Sequence, residues 1–222
     1  MFTGLVETTA VLKSIDRRGP EARLRFRVDL AALELGESIA IDGVCLTVTD
    51  IHDDGFSADA SAETLDVSTL GRRQPGQRTN VERACRPSSR LGGHLVLGHV
   101  DGVGIVERFT AVGEAWTLVV DCSDAIQRYL APKGSITIDG VSLTINRLVE
   151  PNGVEIMVVP HTLAMTTLAE LRPGRHVNVE VDVLARYVAR QLEWAGLLPQ
   201  GGTAPARDAR LMTALEKGGF IQ

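Results

Sequence analysis

The chain has 222 residues, 44% of them apolar and 23% charged, and a formal net charge of −5. These values describe a globular protein of one large or two modest domains. The acidic balance, with no basic run longer than a pair such as Arg72–Arg73, excludes a nucleic-acid partner, which needs clustered Lys and Arg against phosphate. No apolar run approaches the roughly 18 residues of a membrane span.

In chain order, the first segment lacks the basic and apolar regions of a signal peptide. Short strands are then expected at Gly4–Ile15, Arg23–Asp29, Ser38–Asp50, Gly55–Ala60 and Arg78–Arg83. A second series follows at Gly98–Arg108, Ala115–Asp121, Ser135–Leu148, Val154–Val159 and His176–Asp182. Glycine turns such as Leu35–Gly36–Glu37, Asp54–Gly55 and Asn152–Gly153 separate them. Helical turns are expected over Ser61–Leu70, Pro160–Leu168, Asp29–Leu35 and Ser123–Leu130, the last capped by Ser123. After Asp182 the apolar period changes from 2 to 3.6. Leu184, Tyr187, Val188, Leu192 and Ala195 form one stripe of a helix that Asp182 caps and that Gly196 and Pro199 end. Packing on its own barrel and association with the same helix of other subunits both account for that stripe. A linker and a short helical pattern over Asp208–Lys217 complete the chain.

The two series of strands are copies. Ile41–Thr49 reads IDGVCLTVT and Ile138–Asn146 reads IDGVSLTIN, six of nine positions being identical at 97 residues' separation. The correspondence extends from Gly4 and Val6 over Gly98 and Val100 to Thr79–Asn80–Val81–Glu82 over Val177–Asn178–Val179–Glu180. The offset drifts only from 94 to 98. Solenoid units are roughly 20 to 50 residues, so this is a duplicated domain. Short strands at this density suggest a closed antiparallel barrel, with an open sandwich as the competitor. In each signature stretch Val44, Leu46 and Val48 (or Val141, Leu143 and Ile145) share one face. Gly43, Cys45, Thr47 and Thr49 (or Gly140, Ser142, Thr144 and Asn146) share the other. A glycine followed by thiol or hydroxyl groups suits the floor of a small-molecule site. A solvated strand face would look the same in a single copy.

Walker, dinucleotide and HExxH motifs are absent. His94 and His99 are five apart, which on a strand sends them to opposite faces and argues against a shared metal. Imidazole nevertheless suits proton transfer near neutral pH, and Gly92, Gly93 and Gly98 keep that stretch open. Cys45, Cys85 and Cys122 are odd in number and scattered. They fit neither a disulfide framework nor metal-ligand spacing, and point to a reducing cytoplasm. A lone strand cysteine such as Cys45 is most often a small buried residue.

MFTGLVE at the start, GVCLTVT, ETL, NVER, GGHLVLGHVDG, KGSITIDGVSLT and NVEVD together resemble the alpha-type riboflavin synthase family, from Met1 to about residue 190. The resemblance implies an all-β fold with minor helix: two tandem six-stranded antiparallel Greek-key barrels over residues 1–90 and 91–182, then an oligomerisation helix and tail over 183–222. It implies a transferase, without cofactor or metal, in which two molecules of 6,7-dimethyl-8-ribityllumazine dismutate. One gives a four-carbon unit to the other, yielding riboflavin and 5-amino-6-(ribitylamino)uracil. It further implies a homotrimer with active sites between subunits, and an association with lumazine synthase. Carried over by position, one pocket takes Gly4, Leu5, Val6, Cys45, Leu46, Thr47 and the run Asp59, Ala60, Ser61, Ala62, Glu63, Thr64. The other takes Gly98, His99, Val100, Ser142, Leu143, Thr144 and the run Met157, Val158, Val159, Pro160, His161, Thr162. Lys133 matches a residue that reaches substrate at a neighbouring subunit, and Thr3 and His94 match positions in or near the site. Cys45, His99, Ser38, Thr47, Thr144, Asp182 and Phe2 are the expected catalytic set, with Cys45 touching substrate rather than bonding to it and His99 assisting proton movement. Asp42 stands where many relatives have Asn and is expected to act structurally only. Ala62 and Val159 are conservative departures, and the tail is longer than the family core.

Overall fold

The computed structural model describes residues 1–198; the helical pattern expected over Asp208–Lys217 lies outside the described residues. Twelve strands form two closed six-stranded barrels among them. The first contains β1 (Thr8–Arg18), β2 (Glu21–Arg27), β3 (Ser38–Ile41), β4 (Val44–His52), β5 (Gly55–Ala60) and β6 (Arg78–Arg83). They are ordered β1-β2-β5-β4-β3-β6, and β6 closes on β1. The second repeats this with β7 (Gly102–Val112), β8 (Ala115–Asp121), β9 (Ser135–Ile138), β10 (Val141–Val149), β11 (Gly153–Val158) and β12 (His176–Val181). All pairings are antiparallel, so closure leaves no free edge. Each interior is a packed apolar core, with Phe26 and Phe56 at 5.4 Å between ring centroids in the first and Val106, Leu118, Ile136 and Ile156 in the second.

Short helices close the loops: α1 (Ala62–Val67), α2 (Asp124–Gln127) and α3 (Pro160–Met165). Ser61 caps α1 by accepting from Thr64 N–H at 3.2 Å. Ser123 precedes α2 but makes no side-chain cap. The helix expected over Asp29–Leu35 does not form; that segment is a turn with Ala32 at φ 54.

The single strands expected at Ser38–Asp50 and Ser135–Leu148 are hairpins. Asp42–Gly43 and Asp139–Gly140 hold positive φ at both positions, 46 and 78 in the first, 45 and 78 in the second. This is the geometry of a type I′ turn, for which Asp-Gly is a preferred pair.

These two turns meet where the barrels join, and the glycines are there for contact rather than for ligand space. A Cβ on Gly43 would lie 2.8 Å from Gly140 N, and one on Gly140 would lie 2.6 Å from Gly43 N. Asn80 donates to Asp139 O at 2.8 Å and accepts from Thr167 N–H at 2.8 Å. Asn178 mirrors it, donating to Asp42 O at 2.8 Å and accepting from Thr69 N–H at 2.7 Å. Asp42 and Asp139, both fully buried, each accept from the backbone N–H of the asparagine in their own barrel. One buried cation serves both carboxylates: Arg73 lies 2.6 Å from Asp42 and 4.0 Å from Asp139. Its counterpart in the second barrel is Leu171. Burial raises the Asp42 carboxyl above the ordinary range, and burial together with the nearby Asp42 charge pushes Asp139 to about 7. The structural expectation for Asp42 is therefore met at an interface between barrels.

The last strand leads into α4 (Val183–Trp194), capped by Asp182, which accepts from Leu184 N–H at 2.9 Å. Ion pairs of Arg186 with Asp101 and of Arg128 with Glu193 seat the helix on the second barrel. Its apolar stripe faces outward: Leu184, Tyr187 and Val188 are 59, 67 and 58% exposed, and only Ala189 is buried. Leu192 of the stripe is half-buried, so the helix rests on its own barrel while Leu184, Tyr187 and Val188 are left uncovered.

Candidate functional site

The polar faces of β4 and β10 point out of the barrels, because the alternate side chains fill the cores. Val44, Leu46 and Val48 are buried, whereas Thr47 and Thr144 are exposed and Cys45 and Ser142 half-buried. Two arms cover these faces, residues 1–7 before β1 and residues 91–101 before β7. The arms pair with each other: Phe2 N–H donates to Val96 O at 2.7 Å, Val96 N–H to Phe2 O at 3.1 Å, and His94 N–H to Thr3 O at 3.2 Å.

Each arm then serves the other barrel. Ser142 N–H donates to Gly4 O at 2.8 Å, and Cys45 N–H donates to Gly98 O at 2.9 Å. Val6 packs on the second core and Val100 on the first. Gly4 and Gly98 sit at φ 75 and 78. A Cβ would fall 2.5 Å from Ser142 Cβ in one case and 2.6 Å from Cys45 Cβ in the other, so only glycine fits. This crossing overturns the expected grouping. Gly4, Leu5 and Val6 belong with Ser142, Leu143, Thr144 and Met157–Thr162; Gly98, His99 and Val100 belong with Cys45, Thr47 and Asp59–Thr64.

The second pocket is a cavity of about 450 Å³ lined by Leu5, Gly92, Gly93, Ser135, Ser142, Leu143, Thr144, Asn146, Met157, Val159 and Thr162. Ser142 Oγ lies 2.8 Å from His94 Nδ1, and Thr137 Oγ1 lies 3.4 Å from His94 Nε2. Burial holds the His94 pKa below its usual value, opposed by Asp182. The ring is therefore neutral near pH 7, offering one N–H and one lone pair, and Ser142 and Thr137 take opposite roles toward it. Gly93 lets this happen, since a Cβ there would meet Thr3 O at 2.0 Å and Ser142 Oγ at 3.0 Å.

The corresponding face of the first barrel carries an ion-pair network. Asp59 lies across from Arg23 in a two-armed ion pair of 2.7 and 2.9 Å, and Arg23 also reaches Asp50 at 2.8 Å. The guanidinium holds the Asp59 carboxyl below the ordinary carboxylate range. The equivalent place in the second pocket is Met157, whose N–H donates to Asn146 at 2.8 Å. Ser61 and Thr64 share a hydroxyl contact of 3.0 Å at the start of α1. His99 is exposed and also borders a cavity of about 480 Å³ beneath α4, with Arg128, Tyr129, Glu180, Arg186 and Tyr187.

Other expected site residues fall elsewhere. Phe2 is fully buried among Ala40, Val96, Cys45 and Ala84. It packs under Gly98, whose Cβ would be 3.0 Å from its ring. Leu46, Ala60 and Val158 alternate inward and fill the cores. Ser38 pairs in register with Thr47, as Ser135, which lines the second cavity, pairs with Thr144. Thr3 is buried beside Glu82. Ala62 is half-buried, and Glu63, Pro160 and His161 stand exposed in the first turns of α1 and α3. Lys133 is exposed at φ 67, its N–H donating to Ile145 O at 2.7 Å. Among the described residues no group of three or more His, Cys, Asp or Glu is placed to hold a metal.

Glu82 and Glu180 were not among the expected site residues. Both are about 95% buried and hold the backbone of an arm. Their signal is an acidic residue inside a strand that is buried on both faces.

A model of the lumazine binding domain matches residues 3–84 and again 97–182. The chain is 41% identical to riboflavin synthase of Photobacterium phosphoreum over 224 residues, covering 100% of both chains. It is 44% identical to riboflavin synthase of Mycobacterium bovis, covering 88% of this chain and 100% of that one, and 38% identical to that of Bacillus subtilis, covering 88% and 91%. Solved structures of LumP share the fold. The complex with 6,7-dimethyl-8-(1'-D-ribityl) lumazine aligns with a TM-score of 0.74 at 23% identity over 82% of this chain and 99% of that one. The riboflavin complex gives 0.75 at 26% identity with the same coverage. With both halves matched and relatives of this identity aligned nearly end to end, the chain belongs to the riboflavin synthase family of lumazine-binding transferases.

Proposed function

We propose that this chain joins two molecules of 6,7-dimethyl-8-ribityllumazine, moving a four-carbon unit from one to the other to give riboflavin and 5-amino-6-(ribitylamino)uracil. The observation that carries this reading is that one chain carries the same arrangement twice. Each copy has the same outward strand face with its thiol or hydroxyl pair, and each is roofed by a glycine-hinged arm. A protein that only carried one ligand would need only one of them. One substrate molecule oxidises the other, so the reaction calls for no cofactor. What the protein supplies is orientation of two rings and help with proton transfer.

In this reading Thr47, Thr144 and the strand-edge backbone contact the pyrimidine edge and the ribityl chain. The Ser142 hydroxyl, hydrogen-bonded to neutral His94, and the imidazole of His99 assist loss and return of protons at the C7 methyl. Cys45 contacts substrate without bonding to it. We place the complete reaction centre between the first barrel of one subunit and the second of another in a homotrimer, where Lys133 reaches the neighbour's substrate. The exposed Leu184–Tyr187–Val188 stripe supports such an assembly. Residues 1–90 and 91–182 act as the two substrate-binding units. A cytoplasmic location, with a lumazine synthase as associate, fits this role and the three free cysteines.

Incubating the purified chain with 6,7-dimethyl-8-ribityllumazine alone tests the reaction. Two lumazines should disappear for each riboflavin formed, without nicotinamide or metal. Lumazine bound stoichiometrically and never converted would replace this reading with that of a ligand-carrying antenna protein. Deleting 183–195 should leave a monomer of low activity by light scattering; a persistent trimer would remove the assembly.

A further inference from the structure

The two arms are anchored by a pair of buried carboxylates, the glutamates of NVER and NVEVD, to which the resemblance assigned no role in binding or catalysis. Glu82 on β6 accepts from Thr3 N–H at 2.6 Å, from the Thr3 hydroxyl at 2.7 Å and from Gly4 N–H at 2.9 Å. Glu180, the equivalent residue on β12, accepts from Leu97 N–H at 2.7 Å and Gly98 N–H at 3.1 Å. The side chains are 6% and 5% exposed. Two adjacent N–H groups point at the two oxygens of one carboxylate in each case. Only an ionised carboxylate can accept on both; an amide of the same shape turns an NH₂ toward one of the donors. Burial pushes the Glu180 carboxyl up to about 7 and raises that of Glu82, so the comparison of carboxylate with amide belongs at about pH 8.5.

The opposite edge of each arm faces the other barrel. The Gly4 carbonyl that Ser142 N–H holds lies beyond the N–H groups that Glu82 holds, and Gly98 relates Glu180 to Cys45 in the same way. We propose that Glu82 and Glu180 are positioning residues acting crosswise: Glu82 of the first barrel sets the roof of the second barrel's pocket through Gly4 and Leu5, and Glu180 of the second barrel sets the roof of the first barrel's pocket through Gly98 and His99. The geometry of the clamps stands by itself; their effect on turnover rests on the proposed reaction. A carboxylate that merely filled space would be replaced by glutamine without consequence. One that supported the fold generally would affect both pockets alike.

The test compares Glu82→Gln and Glu180→Gln with the unaltered chain by residue-resolved amide hydrogen exchange. Glu180→Gln should speed exchange at Leu97, Gly98 and Cys45 by about tenfold or more, in keeping with loss of a charge-assisted hydrogen bond. It should leave Gly4 and Ser142 unchanged. Glu82→Gln should do the reverse. Equal rises at both pockets, or no rise at either, would overturn the crosswise role. With 6,7-dimethyl-8-ribityllumazine as substrate, each variant should lose turnover by about tenfold to a hundredfold, as a misplacement near 1 Å does, while remaining folded in a single cooperative urea transition. Should the unaltered chain form no riboflavin, the proposed reaction fails and the exchange pattern alone decides the clamps.

Discussion

At equivalent places the first pocket carries Cys45, Asp59, Ser61 and His99, and the second carries Ser142, Met157, Val159 and Leu5. The floors are the same strand in the same register, so duplication preserved the outward hydroxyl pair and the glycine-hinged roof. The walls differ in kind. One carries charge, with a carboxylate already paired to Arg23; the other is uncharged, combining Leu5, Met157 and Val159 with Ser135, Asn146, Thr162 and the Ser142–His94 contact. The two halves thus keep the same floor and differ in their walls, and under the proposed reaction that difference would let one bound copy give and the other receive.

The hardest blow to both pockets should come from closing the roofs. Gly4→Ala and Gly98→Ala put a methyl within 2.6 Å of the opposite strand at a positive φ, and each should cut riboflavin formation more than about a hundredfold. Retention of a tenth of the activity would show that the arms are not part of the pockets. Next, His94→Ala and Ser142→Ala should each cost about tenfold to a hundredfold in turnover. The double variant should be little worse than either, because the two act as one unit; additive losses would separate them.

The seam between the barrels carries another difference, Arg73 against Leu171. The Asp139 carboxyl sits at about 7 in the folded chain, above its ordinary 3.8. Below about pH 3 it is protonated in both states and costs nothing. As pH rises toward 7 the unfolded chain releases the proton first, so this group lowers stability across that window. Asp139→Asn should flatten that decline by an amount on the order of 2 kcal/mol, read from urea midpoints at pH 4.5 and 7. An unchanged slope would mean that Arg73 neutralises both carboxylates. The smallest effect is expected from exchanging Cys45→Ser and Ser142→Cys, about two- to fivefold in turnover on the scale of a single adjusted hydrogen bond. Full activity in both variants would remove any part for this pair in telling the pockets apart.

Much of this was legible locally. Gly55–Ala60, Arg78–Arg83 and Ala115–Asp121 are strands with the limits that their alternation predicts. The hairpins were legible only in part. Alternation carries on through Asp42–Gly43 and Asp139–Gly140 and suggests one long strand, while the Asp-Gly pair is the competing turn signal that prevails. Gly4–Glu7 and Gly98–Asp101 alternate as strands do, yet they leave the barrels as arms. Phe2 shows the same limit: its place beside site residues in the chain suggests a role in chemistry, and packing puts it wholly inside.

The sequence by itself determined the duplication, the short-strand all-β character, the two alternating faces of each signature strand and the family, because all of these are written in periodicity and in residues close together in the chain. Closure into barrels rather than an open sandwich was settled by the fold. The tertiary structure alone decided that each arm roofs the opposite barrel, that Asn80 and Asn178 stitch the barrels across their turns, and that Glu82 and Glu180 are buried clamps. These depend on where distant segments come to rest around an approximate twofold axis. A repeat is blind to that: identical halves predict the same contacts whether each arm stays with its own barrel or crosses to the other.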